Sequence, residues 1–260
     1  MPAAPSHPPA GRSLLAGRTV LVTAAAGTGI GWAAAERAAL EGARVAISDV
    51  HERRLDEAAD RLAAIAGERP LAIPCDVTAE TQVQQLVDGV VAAYGRLDVL
   101  VNNAGLGGET SILEMRDEQW SRVLDVTLNG TFRCTRAALR HMVARGSGAI
   151  VNNASISGWR AQAGQAHYAA AKAGVMALTR CAALDVADSG VRVNAVAPSI
   201  AMHPHLAKTS SEELLAELSA REAFGRAAEP WEVANVIVFL ASDYASYMTG
   251  EVVSVSSQHP

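Results

Sequence analysis

The sequence predicts an α/β protein: one domain built on a doubly wound parallel sheet of about seven strands, with helices on both faces. Two observations predict this class. Short apolar runs alternate with longer helical patterns along nearly the whole chain. Several of the runs are continuously apolar, as expected of parallel strands that are covered on both faces. Alternation of this kind implies right-handed strand–helix–strand units.

The predicted elements follow one another without an internal repeat or interior linker. The strands are expected at 19–23, 43–48, 70–75, 97–102, 148–154, 191–197 and 251–256. The helices are expected near 30–42, 51–66, 79–94, 117–145, 165–188 and 229–241. Residues 14–260 are therefore predicted to form one domain, preceded by a disordered Pro/Ala-rich tail at 1–13. The long segment 199–225 departs from the alternation and is predicted to be a substrate lid.

Composition narrows the class of protein. The 260 residues are 50% hydrophobic and 19% charged, and their net charge of −5 includes no basic stripe, which argues against a nucleic-acid partner. No apolar run is long enough for a membrane span, and the first 13 residues lack the apolar core of a signal peptide. Cys75, Cys134 and Cys181 all lie in apolar contexts. They predict buried thiols in a reducing cytoplasm.

A small-residue turn follows the first strand, in the stretch Thr23–Gly31, TAAAGTGIG. Its glycines are Gly27, Gly29 and Gly31, whereas a classical G-x-G-x-x-G turn would have its last glycine at the position of Trp32. Gly29 and Gly31 would let the backbone approach an anion, and the helix that follows would offer unpaired N–H groups to a pyrophosphate. We expect both glycines to face that pyrophosphate, with an extra residue bulging between Ala24 and Gly27.

The second strand ends in an acid, Asp49. A carboxylate at this place can accept hydrogen bonds from both hydroxyls of an adenosine ribose, and it would repel a 2′-phosphate. The sequence therefore favours NAD over NADP as the cofactor. Arg53 and Arg54 follow directly, and either can turn back towards a phosphate, although a solvated helix face is their ordinary role.

Polar turns also follow the third and fourth strands. Asp76 and Val77 come after the third, where Asp76 can bind an adenine amino group. The turn Asn102-Asn103-Ala104-Gly105 comes after the fourth and leaves room for a ribose. Each piece alone is an ordinary turn sequence. Four such pieces after successive strands predict a dinucleotide site.

Three side chains near the fifth strand suggest catalysis. Ser155 ends that strand, and Tyr168 and Lys172 lie four residues apart on one face of the next helix. A free tyrosine has a pKa of about 10, which a nearby cation lowers. Tyr168 could then exchange a proton with an alcohol or carbonyl oxygen, while Ser155 holds that oxygen and Lys172 also binds a nicotinamide ribose. The alternative is an interface tyrosine, a lysine that reaches solvent and a strand-end serine.

With these residues, the chain resembles the classical short-chain dehydrogenases/reductases from residue 15 to about 255. The resemblance rests on the glycine turn, Asp76, NNAG, the spacing of Ser155, Tyr168 and Lys172, and the segments 192–198, 225–243 and 249–251. It implies a seven-stranded Rossmann-type sheet, a nicotinamide cofactor and a homotetramer formed through the two long helices before and after the fifth strand. It also implies cofactor contacts by Thr23, Gly27, Ile30, Val77, Asn103, Ala104, Gly105, Pro198 and Ala201.

Four departures from the family pattern stand out. The glycine turn has Ala24 for the first glycine and is one residue longer. Thr127 occupies the place of the catalytic asparagine, whose main-chain carbonyl is thought to hold a relay water, and a threonine can supply that carbonyl too. Ser199 and His203 replace residues of a Pro-Gly-x-x-x-Thr loop, and Ser256-Ser257-Gln258 replaces a terminal Asp-Gly-Gly.

Several stretches resemble one subgroup: TAAAGTGIG, DVHERRL, NNASISGWRAQ, FGRAAEPWEV and the terminal QHP. They are similar to actinobacterial dehydrogenases of steroid C/D-ring catabolism, which oxidise a ring hydroxyl on a bicyclic coenzyme A thioester. The leading hypothesis is thus an NAD-dependent enzyme that interconverts a secondary alcohol and a ketone. The alternatives are a 3-oxoacyl-thioester reductase and a non-catalytic dinucleotide sensor.

Three further groups of residues have weaker interpretations. Lid residues Leu206, Leu214, Leu215 and Phe224 suggest a partly apolar substrate, although amphipathic packing explains them equally well. Trp159 and Arg160 can shape the entrance to the substrate site. In one hypothesis Arg160 pairs with a carboxylate or phosphate of the substrate, and in the other its side chain is solvated at the surface. His203, His205 and His259 lack an acid or cysteine to complete a ligand set, so no metal is predicted.

Overall fold

The computed structural model describes residues 10–202 and 212–257, with the side chains of 212–214 left undescribed. Its centre is a seven-stranded parallel sheet in the order β3-β2-β1-β4-β5-β6-β7. The strands are β1 Thr19–Thr23, β2 Arg44–Asp49, β3 Leu71–Pro74, β4 Val99–Asn102, β5 Gly148–Asn153, β6 Val191–Pro198 and β7 Val252–Val255. The order reverses between β1 and β4, which makes this the switch point where such sheets bind ligands.

The described helices are α1 Ile30–Leu40, α2 Glu52–Ala66, α3 Glu80–Tyr94, α4 Asp117–Leu124, α5 Gly130–Arg145, α6 Ala166–Asp185, α7 Glu212–Ala220 and α8 Pro230–Ala241. The doubly wound sheet and its seven strands are as predicted. The one helix expected over 117–145 is instead α4, a π-helical turn Asp125–Asn129 and α5. Because π-turns insert a residue into a helix, the register of the side chains changes between α4 and α5.

The sheet is buried on both faces because successive side chains of each strand point in opposite directions. Val20 and Val22 of β1 pack with α1, α2 and α8, whereas Leu21 packs with α3 and α5 on the other face. All three are at most 1% exposed. Burial of such side chains contributes about 1.5–3 kcal/mol each and explains the continuously apolar strand sequences.

The start of the described chain is ordered by a buried ion pair at the end of α1, between Arg37 and the C-cap residue Glu41. Glu41 is fully buried and pairs with Arg37, while its Oε2 accepts hydrogen bonds from the amides of Arg12 at 2.7 Å and Leu14 at 2.9 Å. Burial alone would raise the pKa of Glu41, but these bonds hold it below its ordinary value. Arg12, which falls in the predicted tail, thus donates to a buried carboxylate of the domain. The rest of that tail, 1–9, lies outside the described residues.

Two sequence-based expectations concern the environment of the chain. Cys75 and Cys134 are buried as expected, but Cys181 is exposed. Cys181 lies on the exposed side of α6, directly after the exposed Arg180. None of the helices in the described part of the chain is both long and apolar enough to cross a membrane.

Replacement of Glu41 by alanine is expected to lower the free energy of unfolding by about 3 kcal/mol, since it leaves the largely buried Arg37 charge without its carboxylate. Chemical denaturation measures this loss. The matched control is Glu57→Ala, which removes an exposed i,i+4 pair with Arg53 and should cost no more than about 0.5 kcal/mol. Equal losses in the two variants would contradict the role assigned to Glu41.

Candidate active site

A cleft of 1920 Å³ runs along the carboxyl edge of the sheet. Its walls come from the turns that follow β1 to β6, so one surface gathers residues that are far apart in sequence. The predicted site residues on this wall are Gly27, Gly29, Ile30, Gly31, Asp49, Asp76, Val77, Asn103, Ala104, Gly105, Ser155, Tyr168, Lys172, Pro198 and Ala201. Thr23 and Thr127 lie behind it.

The turn after β1 folds against the end of β2. Ala24 has a positive φ of 51°, the Ala25 amide donates to the Ser48 carbonyl at 3.0 Å, and the Ala26 amide donates to Asp49 Oδ2 at 3.2 Å. The turn then reaches Gly29, the N-cap of α1, where no side chain caps the helix. The first amides of α1 therefore meet the cleft without a side-chain acceptor, an arrangement suited to an anion.

Gly31 has a packing role that its sequence motif did not reveal. A Cβ at this position would lie 2.3 Å from Asn103 Nδ2 and 2.4 Å from the Ala24 carbonyl oxygen. Only glycine lets α1 come this close to the ends of β1 and β4. At Gly27, by contrast, the nearest such contact is the Gly29 amide nitrogen at 3.9 Å.

Asp49 is held in place by two main-chain amides. Its Oδ2 accepts from Ala26 and its Oδ1 accepts from His51 at 3.0 Å. Partial burial raises the pKa of Asp49, opposed by the Ala26 hydrogen bond and the charge of Arg54. Of the two arginines that follow, Arg53 pairs with Glu57 in solvent, whereas Arg54 lines the cleft.

Asp76 and Val77 form the wall after β3. Asp76 Oδ1 accepts from the amide and the hydroxyl of Thr78 at 2.9 and 2.8 Å, which fixes the carboxylate at the cleft. Val77 packs against Gly130, where a Cβ would approach Val77 Cγ2 to 2.7 Å. The start of α5 thereby sets the depth of this wall.

Thr23 stabilises the neighbouring turn from behind. Its Oγ1 accepts from the amides of Asn103 and Ala104 at 3.0 and 3.1 Å and donates to the Val101 carbonyl at 3.4 Å. It is 1% exposed. Its hydroxyl thus joins β1 to the turn after β4, and the cofactor contact expected of Thr23 stays a prediction.

Ser155, Tyr168 and Lys172 come together as the sequence predicted. The Ser155 hydroxyl is hydrogen-bonded to the Tyr168 phenol, and Lys172 Nζ lies 5.6 Å from the centre of the Tyr168 ring. Lys172 Nζ also donates to the Asn153 carbonyl at 2.5 Å. All three side chains line the cleft, with Lys172 only 4% exposed.

Burial dominates the electrostatics of the trio. It raises the pKa of Tyr168, although the hydrogen bond from Ser155 opposes this, and it lowers the pKa of Lys172 from 10.5 to about 8. The expectation that Lys172 lowers the tyrosine pKa is thus not met in the protein alone. Desolvation disfavours the charged form of each group, the phenolate and the ammonium.

Thr127 clamps the loop that follows β4. Its Oγ1 accepts from the Leu106 amide at 3.0 Å and donates to the Leu106 carbonyl at 3.2 Å, and its own carbonyl accepts from the Thr131 hydroxyl at 2.7 Å. A Cβ on Gly105 would touch both Thr127 and Lys172, within 3.8 and 3.5 Å. The threonine is therefore next to the site, but its carbonyl already bonds a protein hydroxyl.

The loop over Tyr168 was not identified from the sequence. A Cβ on Gly107 would lie 3.7 Å from the Tyr168 ring, and one on Gly108 would lie 3.5 Å from His167 Nε2. His167 is buried, and its Nδ1 accepts from the Tyr168 amide at 2.9 Å. The signal was the pair of glycines in the run LGG that follows NNAG, since larger side chains at Gly107 and Gly108 would crowd Tyr168 and His167.

The substrate end of the cleft differs in part from the prediction. Trp159 is exposed and Arg160 is half-buried, but neither lines the cleft, because the chain turns away from it after Ser157. Trp120, Leu124, Gln162 and Gln165 are found there instead, together with Leu218 and Glu222 of the predicted lid. Phe224 is 52% exposed and lies off the wall.

Other lid and metal predictions cannot be placed. His203, His205, Leu206 and His259 lie outside the described residues, as does the side chain of Leu214. Within residues 10–202 and 212–257, no three His, Cys, Asp or Glu side chains form a group that could hold a metal ion.

The Gly31→Ala variant is expected to lose about 2 kcal/mol of unfolding free energy and to bind NADH more weakly, because its Cβ must displace Asn103 and the Ala24 carbonyl. Denaturation and fluorescence titration measure the two effects. Gly27→Ala is the matched control for stability and should change it by less than about 0.5 kcal/mol, because its Cβ meets open space. Comparable destabilisation by both alanines would contradict this reading.

Lys172 should give the protein a measurable pH dependence. Because its pKa falls from 10.5 unfolded to about 8 folded, the unfolded state binds more protons between these values, and stability rises with pH across the window. The gain should total about 3 kcal/mol. The Lys172→Met variant should lack this gain. Urea denaturation should therefore show that the free energy of unfolding of the wild type rises from pH 7 to pH 10 relative to that of the variant. The same change in unfolding free energy between pH 7 and pH 10 in variant and wild type would contradict the prediction.

Comparison with known proteins agrees with this geometry. The family model described as Enoyl-(Acyl carrier protein) reductase matches residues 24–257. A relative from Mycobacterium tuberculosis (strain ATCC 25618 / H37Rv), named (5R,7aS)-5-hydroxy-7a-methyl-1-oxo-2,3,5,6,7,7a-hexahydro-1H-indene-carboxyl-CoA reductase, is 64% identical over 252 residues, covering 96% of each chain. The cis-4-hydroxycyclohexanecarboxylate dehydrogenase of Sinomonas cyclohexanicum is 47% identical over 92% of this chain and 94% of its own.

A solved structure gives the same result. The crystal structure of a short chain dehydrogenase from Mycobacterium smegmatis superimposes with a TM-score of 0.89 at 58% identity, covering 99% of both chains. The sheet order, the cleft at the switch point and these similarities all indicate the same family. The chain belongs to the short-chain dehydrogenase/reductase family and is an oxidoreductase that uses a nicotinamide dinucleotide.

Proposed function

We propose that this enzyme uses NAD to interconvert a secondary alcohol and a ketone on the ring of a bicyclic coenzyme A thioester. The observation that carries the proposal is the Ser155–Tyr168–Lys172 arrangement inside the cleft. The bicyclic substrate class is supported by the 64% identical relative, whose name describes a hydroxy-oxo-hexahydroindene carboxyl-CoA reductase. The second relative acts on a hydroxyl of a cyclohexane ring.

The residues of the cleft fit a nicotinamide dinucleotide. The uncapped N-terminus of α1 suits the pyrophosphate, Asp49 suits the adenosine ribose, and Asp76 suits the adenine amino group. The wall after β4 and the main chain near Pro198 and Ala201 complete the surface next to the trio. When bound, the nicotinamide would supply hydride exchange at the substrate carbon.

We assign the proton transfer to Tyr168. In oxidation its phenolate oxygen would take the alcohol proton, and in reduction its hydroxyl would give a proton to the carbonyl oxygen. Ser155 already bonds the phenol and would hold the same substrate oxygen. Lys172, fixed by the Asn153 carbonyl, would stabilise the phenolate and bind the nicotinamide ribose. Thr127 would assist by holding Leu106 and the loop over the tyrosine.

Asp49 supports NAD over NADP. Both of its oxygens are oriented by main-chain amides, so the carboxylate cannot easily turn away from the ribose it would bind. A 2′-phosphate at this place would meet that negative charge. Arg54 lies near Asp49 on the cleft wall. Its positive charge could pair with a 2′-phosphate, so some use of NADP could be tolerated.

A homotetramer fits the exposed apolar side chains of the two long helices. Phe132 and Val143 of α5 are each 42% exposed, and Leu184 of α6 is 78% exposed. Further copies of the chain that pack on these helices would remove this apolar surface from water. The described cysteines are all unpaired, in keeping with a cytoplasmic location.

A substrate screen tests the function. Purified enzyme is assayed with a bicyclic hydroxyindane-carboxyl coenzyme A thioester and a linear 3-hydroxyacyl coenzyme A thioester, each with NAD and with NADP. We expect the bicyclic thioester with NAD to give the highest kcat/KM. Tyr168→Phe should lower kcat at least about 100-fold and change NADH affinity less than about threefold, because it removes only the proton donor.

Each other outcome points to a different function. A preference for the linear thioester would favour a 3-oxoacyl-thioester reductase. Tight NADH binding without turnover of any alcohol or ketone would favour a dinucleotide sensor. Undiminished turnover by Tyr168→Phe would refute the proposed mechanism.

A further inference from the structure

Val255 and Ser257, at and just after the end of β7, contact the two ends of the excursion between β6 and α8. This excursion leaves the sheet after Pro198 and returns through Ala228 to α8. The Val255 carbonyl accepts from the Ser199 amide at 3.2 Å at its start. Ser257 bonds Glu222 and Phe224 near its end. We call the residues Val255–Ser257 the C-terminal latch.

The two ends of the excursion are also joined to each other. The Ala228 amide donates to the Ile200 carbonyl at 2.9 Å, and the Met202 amide donates to the Ala228 carbonyl at 2.8 Å. Ile200 and Ala201 line the cleft on one side of this junction, and Leu218 and Glu222 line it on the other. The latch therefore lies behind the wall that a substrate would contact.

Glu222 is the centre of the latch. Its side chain is 4% exposed, and its Oε2 accepts from the Ser257 hydroxyl at 2.8 Å and from the Ser257 amide at 3.2 Å. A buried carboxylate is costly unless donors surround it, so these bonds favour one position of Glu222. Because Glu222 is itself part of the cleft wall, fixing its carboxylate also fixes that wall.

Ser257 is suited to this contact because its hydroxyl both donates and accepts. It donates to Glu222 and accepts from the Phe224 amide at 3.4 Å, so one small side chain contacts two points of the returning segment. A glycine at this position, as in the family's terminal Asp-Gly-Gly pattern, could not make either hydroxyl contact. The departure in the C-terminal sequence and the buried Glu222 are thus parts of the same arrangement.

We infer that Ser257 and Glu222 are positioning residues, through which the C-terminal segment holds the substrate wall in its binding conformation. This inference rests on the proposed function only in that the cleft binds an alcohol or ketone substrate. Neither residue takes part in proton transfer. Release of the latch should therefore weaken substrate binding and leave both cofactor affinity and the chemical step nearly unchanged.

Steady-state kinetics test the inference on the full-length enzyme with the best alcohol from the screen. Ser257→Ala should raise KM about tenfold and change kcat and NAD affinity by less than about threefold. Ser257→Thr keeps the hydroxyl and Glu222→Gln keeps an oxygen acceptor, so both should stay near wild type, whereas Glu222→Leu should resemble Ser257→Ala. Glu217→Gln is the matched control, since Glu217 lies on the exposed side of α7 and pairs with Arg221.

A second measurement needs no substrate and so separates this inference from the proposed function. Hydrogen exchange of the substrate-free enzyme should be faster at 215–228 in Ser257→Ala, with β5 unchanged, and slow again in Ser257→Thr. Unchanged exchange and KM in Ser257→Ala would overturn the inference. So would equal losses of kcat, NAD affinity and thermal stability, which would indicate a general folding role. If Glu222→Leu does not fold, the Ser257 pair still decides the question.

Discussion

One chain of hydrogen bonds joins the glycine turn to Lys172, and the geometry of the cleft depends on it. Asn103 Nδ2 donates to the Ala24 carbonyl at 3.1 Å, and Asn103 Oδ1 accepts from Asn153 Nδ2 at 2.9 Å. The Asn153 carbonyl then accepts from Lys172. The ends of β1, β4 and β5 are thereby held together across the switch point of the sheet. Gly31 is required because a side chain there would occupy the place of the Asn103 amide.

A second buried network supports the first from within the sheet. Asn102 Nδ2 donates to Thr135 of α5 at 3.0 Å and to Asn152 at 2.9 Å, and Asn152 Nδ2 donates to Thr179 of α6 at 2.9 Å. Buried polar groups are stable only when they are paired, so these bonds restrict how α6 can lie on the strands. Because α6 carries Tyr168 and Lys172, these bonds also fix where the two side chains lie at the cleft.

The same burial that orders the site opposes ionisation within it. Desolvation raises the pKa of Tyr168 and lowers that of Lys172, so the protein alone favours the neutral forms of both. The positive charge of an oxidised nicotinamide would act in the opposite direction, favouring the phenolate.

The sequence by itself determined the sheet, most of its helices, the cleft at its carboxyl edge and the trio within it. Those features follow from local apolar periodicity and from strand-end positions, which the sequence pattern contains directly. Tertiary structure alone decided that Thr23 stabilises the site from behind, that the amides of Arg12 and Leu14 bind Glu41, and that Cys181 is exposed. It also decided that Ser257 meets Glu222 across 35 residues. These outcomes depend on which hydrogen-bond partners and surfaces meet in space, and no local pattern specifies them.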